Sequence, residues 1–456
     1  MNARLTTAAS LLLAATAILA PATTADSICT LSDSETCAVE SLTPSEDDGS
    51  VLIYPGGDTR CAFDDYQDTV TTYSANSTYF FQVFPNEELD KSKLMIFFQG
   101  GGACTGEDTC AFGLQCSLGA SATFTTVATS SSAGVLNRSL ENNMFKDWNI
   151  VFIPYCTGDV HAGSKVLPAY ESGIEELLGN PQCLGLDFPM HMNGYNNTQA
   201  VLKWALENYP DPDSLVVGGE SAGSLGAQLY SAHVAELWSV DTKGTRYSIL
   251  ADSYVGVVPA DHPGSQSLDY YGVCDVDLGM PATIVTACQA ETATTTEMVE
   301  SLLEAEPQGN WLFINSKGDQ TQRYFYALLE EGIEGYPFTD LISEEDFYNN
   351  MTAILDAYQI VSARVTTFYV EGTKHVFLAD SNFTSYESDE GLLLGDVINA
   401  WLVSNSSSTP TTTLEAATTS PSSTTSPSSS TSPSSTTGSD SATTTTTTAT
   451  SAPLSC

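Results

Sequence analysis

Leu215-Val216-Val217-Gly218-Gly219-Glu220-Ser221-Ala222-Gly223 joins an apolar run to a glycine-flanked serine. The apolar run at Leu215–Val217 reads as a strand, and the residues after Ser221 read as a helix. Between them Gly219 to Gly223 spells G-x-S-x-G. Its glycines permit the sharp strand-to-helix turn that lifts a serine hydroxyl over the edge of a sheet. A motif this short also arises as a plain glycine-rich turn that packs a helix close to a strand. The strand before and the helix after favour Ser221 as a nucleophile, because that is the setting the chemistry needs.

The same alternation continues on both sides. Short apolar runs rich in β-branched residues occur at Leu94–Phe98, Ile150–Tyr155, Ile249–Val255, Trp311–Ile314 and Val365–Val370. Most are apolar on consecutive residues, the pattern of strands buried on both faces of a parallel sheet. Helical spacing separates several of them: Asn197–Asn208 puts Ala200, Val201, Trp204 and Ala205 on one face. Other helices follow Ser221, run through Tyr324–Leu329 and close the domain at Leu392–Leu402. The expectation is an α/β fold, α/β-hydrolase-like, with a mostly parallel central sheet flanked by helices across residues 26–404.

A serine nucleophile needs a base, and the chain has five histidines. His233 lies twelve residues into the helix after Ser221, about 18 Å away at 1.5 Å per residue, too far to serve. His191 and His262 fall in loops with no strand end before them, and a structural role is expected for all three. His161 follows the strand Ile150–Tyr155 and is a candidate pocket residue. His375 follows the strand Val365–Val370 by a short turn, so the base comes last in the chain, as in the Ser, acid, His order of such folds. Two carboxylates compete to orient it. Asp252 lies within Ile249–Val255 and Asp319 just beyond Trp311–Ile314, and the later strand end favours Asp319. For an oxyanion hole, Gly100-Gly101-Gly102-Ala103 follows the strand Leu94–Phe98, and the amide of Ala222 is a second donor. Three glycines also suit a phosphate cradle, but no P-loop lysine follows them.

The ends of the chain have other tasks. Arg4 precedes a short apolar run, Leu11 to Ala20, and small residues bracket Ala22 and Ala25. Residues 1–25 therefore read as a secretory signal peptide, too short for a membrane span. Residues 405–456 are Ser, Thr and Pro-rich, with almost nothing apolar to bury, and read as a disordered, O-glycosylated tail suited to cell-wall association. A secreted chain makes its 11 cysteines disulfide candidates: Cys104 with Cys110 and Cys274 with Cys288 would close short loops, with connectivity otherwise open. Sequons at Asn76, Asn137, Asn196, Asn350, Asn382 and Asn405 suit the same extracellular setting. With 56 acidic against 14 basic residues the formal charge is −42, which excludes nucleic acid and disfavours polyanions near neutral pH. Neither metal nor cofactor is indicated, since the cysteines and histidines lack metal-ligand spacing.

Taken together these motifs resemble the pectin acetylesterase and Notum carboxylesterase family, closer to its microbial members. Gly100-Gly101-Gly102-Ala103-Cys104 with Cys110 is similar to its GGGWC element, and Tyr155-Cys156-Thr157-Gly158 to its YC-x-G. The G-x-S-A-G elbow at Gly219–Gly223, the aspartate Asp252 on the next strand and Asp319-Gln320-Thr321-Gln322 as D-x-x-Q follow in the same order. The chain departs at Ala103 and Thr321, where the family has tryptophan, and lacks a cysteine after His375. The resemblance implies Ser221 as nucleophile, Asp319 as acid, His375 as base and a Cys104–Cys110 disulfide. It leaves Asp159, His161 and Asp252 as pocket candidates, with the amides of Gly101, Gly102, Ala103 and Ala222 in the oxyanion hole. The expected protein is a secreted serine carboxylic-ester hydrolase acting on acetyl or other acyl esters of extracellular polysaccharide. A Notum-like deacylase of longer chains and a non-catalytic surface glycoprotein are the alternatives.

Overall fold

Each central strand of the sheet sends alternate apolar side chains to opposite faces. In β6 (Lys93–Phe98) Leu94, Ile96 and Phe98 enter one core while Met95 and Phe97 enter the other. A strand buried on both sides has no polar face to alternate with, so its sequence is a continuous apolar run. This is a computed structural model describing residues 27–67, 74–105, 133–168, 189–332, 335 and 338–404. The expected signal peptide, the tail and Cys110 lie outside the described residues.

In chain order the strands are β1 (Ile28–Thr30), β2 (Val51–Tyr54), β3 (Tyr66–Gln67), β4 (Ser74–Ala75), β5 (Phe81–Phe84), β6, β7 (Asn149–Ile153), β8 (Lys165–Leu167), β9 (Met190–Met192), β10 (Ser214–Glu220), β11 (Arg246–Asp252), β12 (Asn310–Ser316) and β13 (Val365–Val370). Nine of them form one sheet in the order β1-β2-β5-β7-β6-β10-β11-β12-β13. All neighbouring pairs are parallel except the two that involve β5, which is antiparallel to β2 and to β7. The mostly parallel, helix-flanked sheet expected from the sequence is thus present. Helices Gly194–Asn208, Ala222–Leu229, Thr295–Ala305 and Glu344–Val361 cover one face, while Leu394–Val403 covers the other with Ile398 and Trp401.

Two strands end earlier than their apolar runs, for local reasons. The run Ile150–Tyr155 stops pairing at Ile153, because Pro154 has no N–H to give the ladder. The run Ile249–Val255 stops at Asp252, because Ser253 turns to a φ of 62°. His191, expected in a loop, lies in the short strand β9, which pairs with β8.

Between β11 and β12 the chain inserts a cap of two short helices, Ser265–Tyr270 and Ala282–Gln289, ahead of the face helix Thr295–Ala305, and Leu268 and Tyr271 of this cap share a cavity with Ser221. The expected Cys274–Cys288 disulfide staples this cap. Cys29–Cys37 and Cys61–Cys156 are also formed, and Cys104 is disulfide-bonded. Asn76, Asn196, Asn350 and Asn382 of the sequons are exposed, and Asn137 is half-buried.

Candidate active site

The carboxyl end of β10 turns into the helix Ala222–Leu229 through Ser221, whose φ of 53° and ψ of −121° no ordinary helix or strand uses. Two glycines make that turn sterically possible. A Cβ on Gly219 would lie 2.1 Å from the Gly223 carbonyl oxygen, and one on Gly223 would lie 2.1 Å from that of Phe98. The Ser221 amide donates to the Asp252 carbonyl at 2.8 Å, which fixes the elbow to the neighbouring strand.

His375 meets Ser221 from across the sheet edge. Its Nε2 is 2.9 Å from Ser221 Oγ, and its Nδ1 is 2.8 Å from Asp319 Oδ2 and 3.0 Å from Oδ1. A carboxylate can only accept, so Nδ1 carries the hydrogen and Nε2 is left free to accept from the serine hydroxyl. The three sequence candidates therefore converge in one line. The acid and histidine loops are laced together: the amides of Lys317, Gly318 and Gln320 donate to the carbonyls of Val370, Gly372 and Thr373 at 2.9, 2.9 and 3.0 Å. Asp319 is fully buried at the head of the helix Gln320–Glu331 and accepts from the Gln322 amide at 3.0 Å. The side chain of Gln322, last residue of D-x-x-Q, donates to Asp319 Oδ2 at 3.0 Å while accepting from the Val255 amide at 3.2 Å. It joins the acid to the start of the cap.

The three pocket candidates do not line the cavity beside Ser221 and stand behind its wall. Asp252 is fully buried and accepts from the amides of Phe377 and Leu378 at 2.8 and 2.7 Å, and from Ser253 Oγ at 2.8 Å. It holds the chain just after His375 in place. Burial pushes its carboxyl up to about 6 against those donors. Asp159 accepts from Thr157 Oγ1 at 2.6 Å and from the Gly194 amide at 2.7 Å, and burial likewise pushes it up to about 6. His161 stacks on Tyr155 with 4.5 Å between ring centroids, and its Nε2 donates to the Gln99 carbonyl at 2.8 Å. Burial lowers it to about 4, so the ring is neutral near neutral pH. Of that loop only Val160 reaches the cavity.

The cavity over Ser221 and His375 has a volume of about 100 Å³. Gly102, Ala103 and Ala222 edge it, with Gly101 and Gly102 at φ of 146° and 77°, conformations that only glycine takes readily. Gly101 itself does not line it. The rest of the wall is chiefly apolar, with Leu225, Val257, Leu268, Tyr271, Phe325 and Leu329 drawn from the elbow helix, the cap and the helix after Asp319. Three of these come from the inserted cap, whose cavity role is not legible in the sequence. Of the remaining histidines, His233 pairs with Gln199 at 2.9 Å and does not line the cavity.

A largely parallel α/β sheet with a cavity at the carboxyl edge of its strands is the frame of the α/β-hydrolases. Residues 74–295 match the model of the pectinacetylesterase family, which the chain resembles over that stretch, and the protein is a carboxylic-ester hydrolase. A solved structure similar to the chain is that of the Wnt deacylase Notum from Drosophila, 15% identical, with 75% of this chain and 92% of that one covered at a TM-score of 0.48. No curated protein sequence matches the chain.

Proposed function

We propose that the protein is a secreted serine esterase that removes acetyl or other acyl groups from extracellular polysaccharide or related esters. The observation that carries this reading is the continuous line from Asp319 through His375 to Ser221, with contacts of 2.8 and 2.9 Å. Ser221 Oγ attacks the ester carbonyl as His375 Nε2 takes its proton. The imidazolium then returns that proton to the departing alcohol, and water repeats the sequence to free the acid. Asp319 keeps the hydrogen on Nδ1 and stabilises the imidazolium without becoming protonated itself. The amides of Gly102, Ala103 and Ala222, which edge the cavity, receive the developing oxyanion. Each such donor typically contributes on the order of a hundredfold or more in rate. The preponderance of acids, 56 against 14 bases, favours neutral esters, or polyanionic ones only at low pH or raised salt.

Ser221→Ala is expected to abolish hydrolysis of p-nitrophenyl acetate while leaving the melting temperature within a few degrees of the parent. A serine-directed phosphonate should label Ser221. Activity retained in the variant, or labelling at another residue, overturns the mechanism, and wild-type protein that takes up no phosphonate supports a non-catalytic surface glycoprotein.

The apolar cavity wall favours a second reading, release of a longer acyl chain. Comparing p-nitrophenyl esters from C2 to C16 separates the two: kcat/KM falling steadily from C2 supports an acetylesterase, and a maximum at longer chains supports the second reading.

A further inference from the structure

The loop that carries the oxyanion amides is rooted in one peptide unit, Gln99–Gly100, and that unit is packed at both ends. Its carbonyl accepts from His161 Nε2 at 2.8 Å. Its N–H side, on Gly100, lies against the side chain of Glu220, the residue just before Ser221: a Cβ on Gly100 would be 3.3 Å from Glu220 Cγ, and the amide favours the charged form of that carboxyl. The fit there is close: a Cβ on Gly100 would lie 2.8 Å from the Glu220 carbonyl oxygen and 3.0 Å from Ser221 Cβ. One carboxyl oxygen of Glu220, Oε2, is buried and has no hydrogen-bond partner.

We infer that Glu220 is a positioning residue of the esterase site, its carboxyl fixing the Gln99–Gly100 peptide, and with it the oxyanion loop, against the nucleophile elbow, with His161 as the opposing half of the clamp. The inference rests on the ester-hydrolase reading and assigns the residue at the variable position of G-x-S-x-G.

The form of Glu220 that does this is the neutral acid. The charged groups around it explain why. Asp252 faces it in register from β11, and Asp380 faces it from the loop beyond His375. Asp252 is already engaged by the Phe377 and Leu378 amides and by Ser253. Asp380 is engaged by Lys374 at 2.8 Å and by Tyr386 Oη. Burial, and then the field of Asp252, push Glu220 up to about 8 despite the Gly100 amide. An ionised Glu220 would bury an unpaired negative charge beside the loop that must receive the substrate's oxyanion, which weakens that loop's stabilising field. The neutral acid holds the same amide without that charge.

The test measures kcat and KM for p-nitrophenyl acetate between about pH 6 and pH 9, over the Ser221→Ala background, in wild type, Glu220→Gln and Glu220→Ala. Glutamine keeps the acceptor and cannot ionise. Glu220→Gln should keep kcat within about twofold at pH 6 and lose the decline that wild type shows above about pH 8. Glu220→Ala, with no acceptor for Gly100, should lose about tenfold in kcat at pH 6 with KM unchanged. At pH 7 the infrared band of a protonated carboxyl should be present in wild type and missing in Glu220→Gln. A Glu220→Gln enzyme that keeps the alkaline decline, or that is as slow as Glu220→Ala at pH 6, overturns the inference. If Glu220→Ala does not fold, the Glu220→Gln profile and the infrared band decide alone. Wild type without Ser221-dependent hydrolysis fails differently, by overturning the esterase reading on which the inference stands.

Discussion

Two aspartates lie within reach of the histidine loop, and strand order favours the later one, Asp319, as the acid. In the structure they differ by which atoms they touch. Asp319 touches the imidazole of His375 at 2.8 Å, whereas Asp252 touches the backbone two and three residues further on. The first sets the tautomer of the ring, and the second sets where the ring stands. Replacing each by asparagine therefore separates them. Asp319→Asn offers an amide that can stabilise the wrong tautomer, and kcat for p-nitrophenyl acetate should fall by about 10⁴ with little change in melting temperature. Asp252→Asn replaces an acceptor of several donors by a group with one acceptor oxygen. It should lower the melting temperature clearly and kcat by only about tenfold. A larger kcat loss in Asp252→Asn than in Asp319→Asn would exchange the two assignments.

At the scale of elements, the six strands read from apolar runs are the six contiguous parallel ones from β7 to the edge strand β13, which matches its run from Val365 to Val370. The five inner ones were legible because burial on both faces leaves a continuous apolar signal, and β13 because of its β-branched and aromatic residues. The strands β1, β2 and β5 at one end of the sheet are three or four residues long, and β5 contains Gln82, so they carry too little pattern to stand out. Two unread helices did leave signals. Thr294 and Glu297 form a capping box ahead of Thr295–Ala305. Ser343 caps Glu344–Val361, which buries Phe347, Met351, Leu355 and Tyr358 at helical spacing. The line Ser221, His375, Asp319 was legible because strand ends and chain order constrain where such residues go. The pocket was not. Its cap wall is made by short helices whose docking depends on tertiary contact, and Asp159 and His161 look in sequence like residues facing a cleft. Only the packing reveals that the first caps the Gly194 amide and the second grips the Gln99 carbonyl.

For the whole molecule, charge and buried acids act in the same direction above neutral pH. The formal charge of −42 makes the compact state self-repelling, increasingly so as any remaining proton is lost. Glu220, Asp252 and Asp159 have folded values raised to about 8, 6 and 6, so the folded chain keeps protons that the unfolded chain has already released. Their contribution is fully present below the unfolded carboxylate range near 4 and is lost as pH rises through the folded values. His161 opposes them, because burial lowers it to about 4: the unfolded chain takes up a proton first as pH falls below about 6.5, and stability drops there. Between about pH 6.5 and 8 the aspartates and His161 are finished, and Glu220 with the surface repulsion governs the slope. The melting temperature should therefore fall across that window, with a loss from Glu220 of up to about 2 kcal/mol at about 1.4 kcal/mol per pH unit. Added salt should recover the part due to surface repulsion, because it screens exposed charges and leaves a buried carboxyl largely untouched. Glu220→Gln should recover the other part in low salt. Thermal melts of the two proteins at pH 6.5 and 8, with and without salt, measure both. A melting temperature that rises across this window, or a fall that Glu220→Gln leaves unchanged, would show that the buried carboxyl does not hold its proton there.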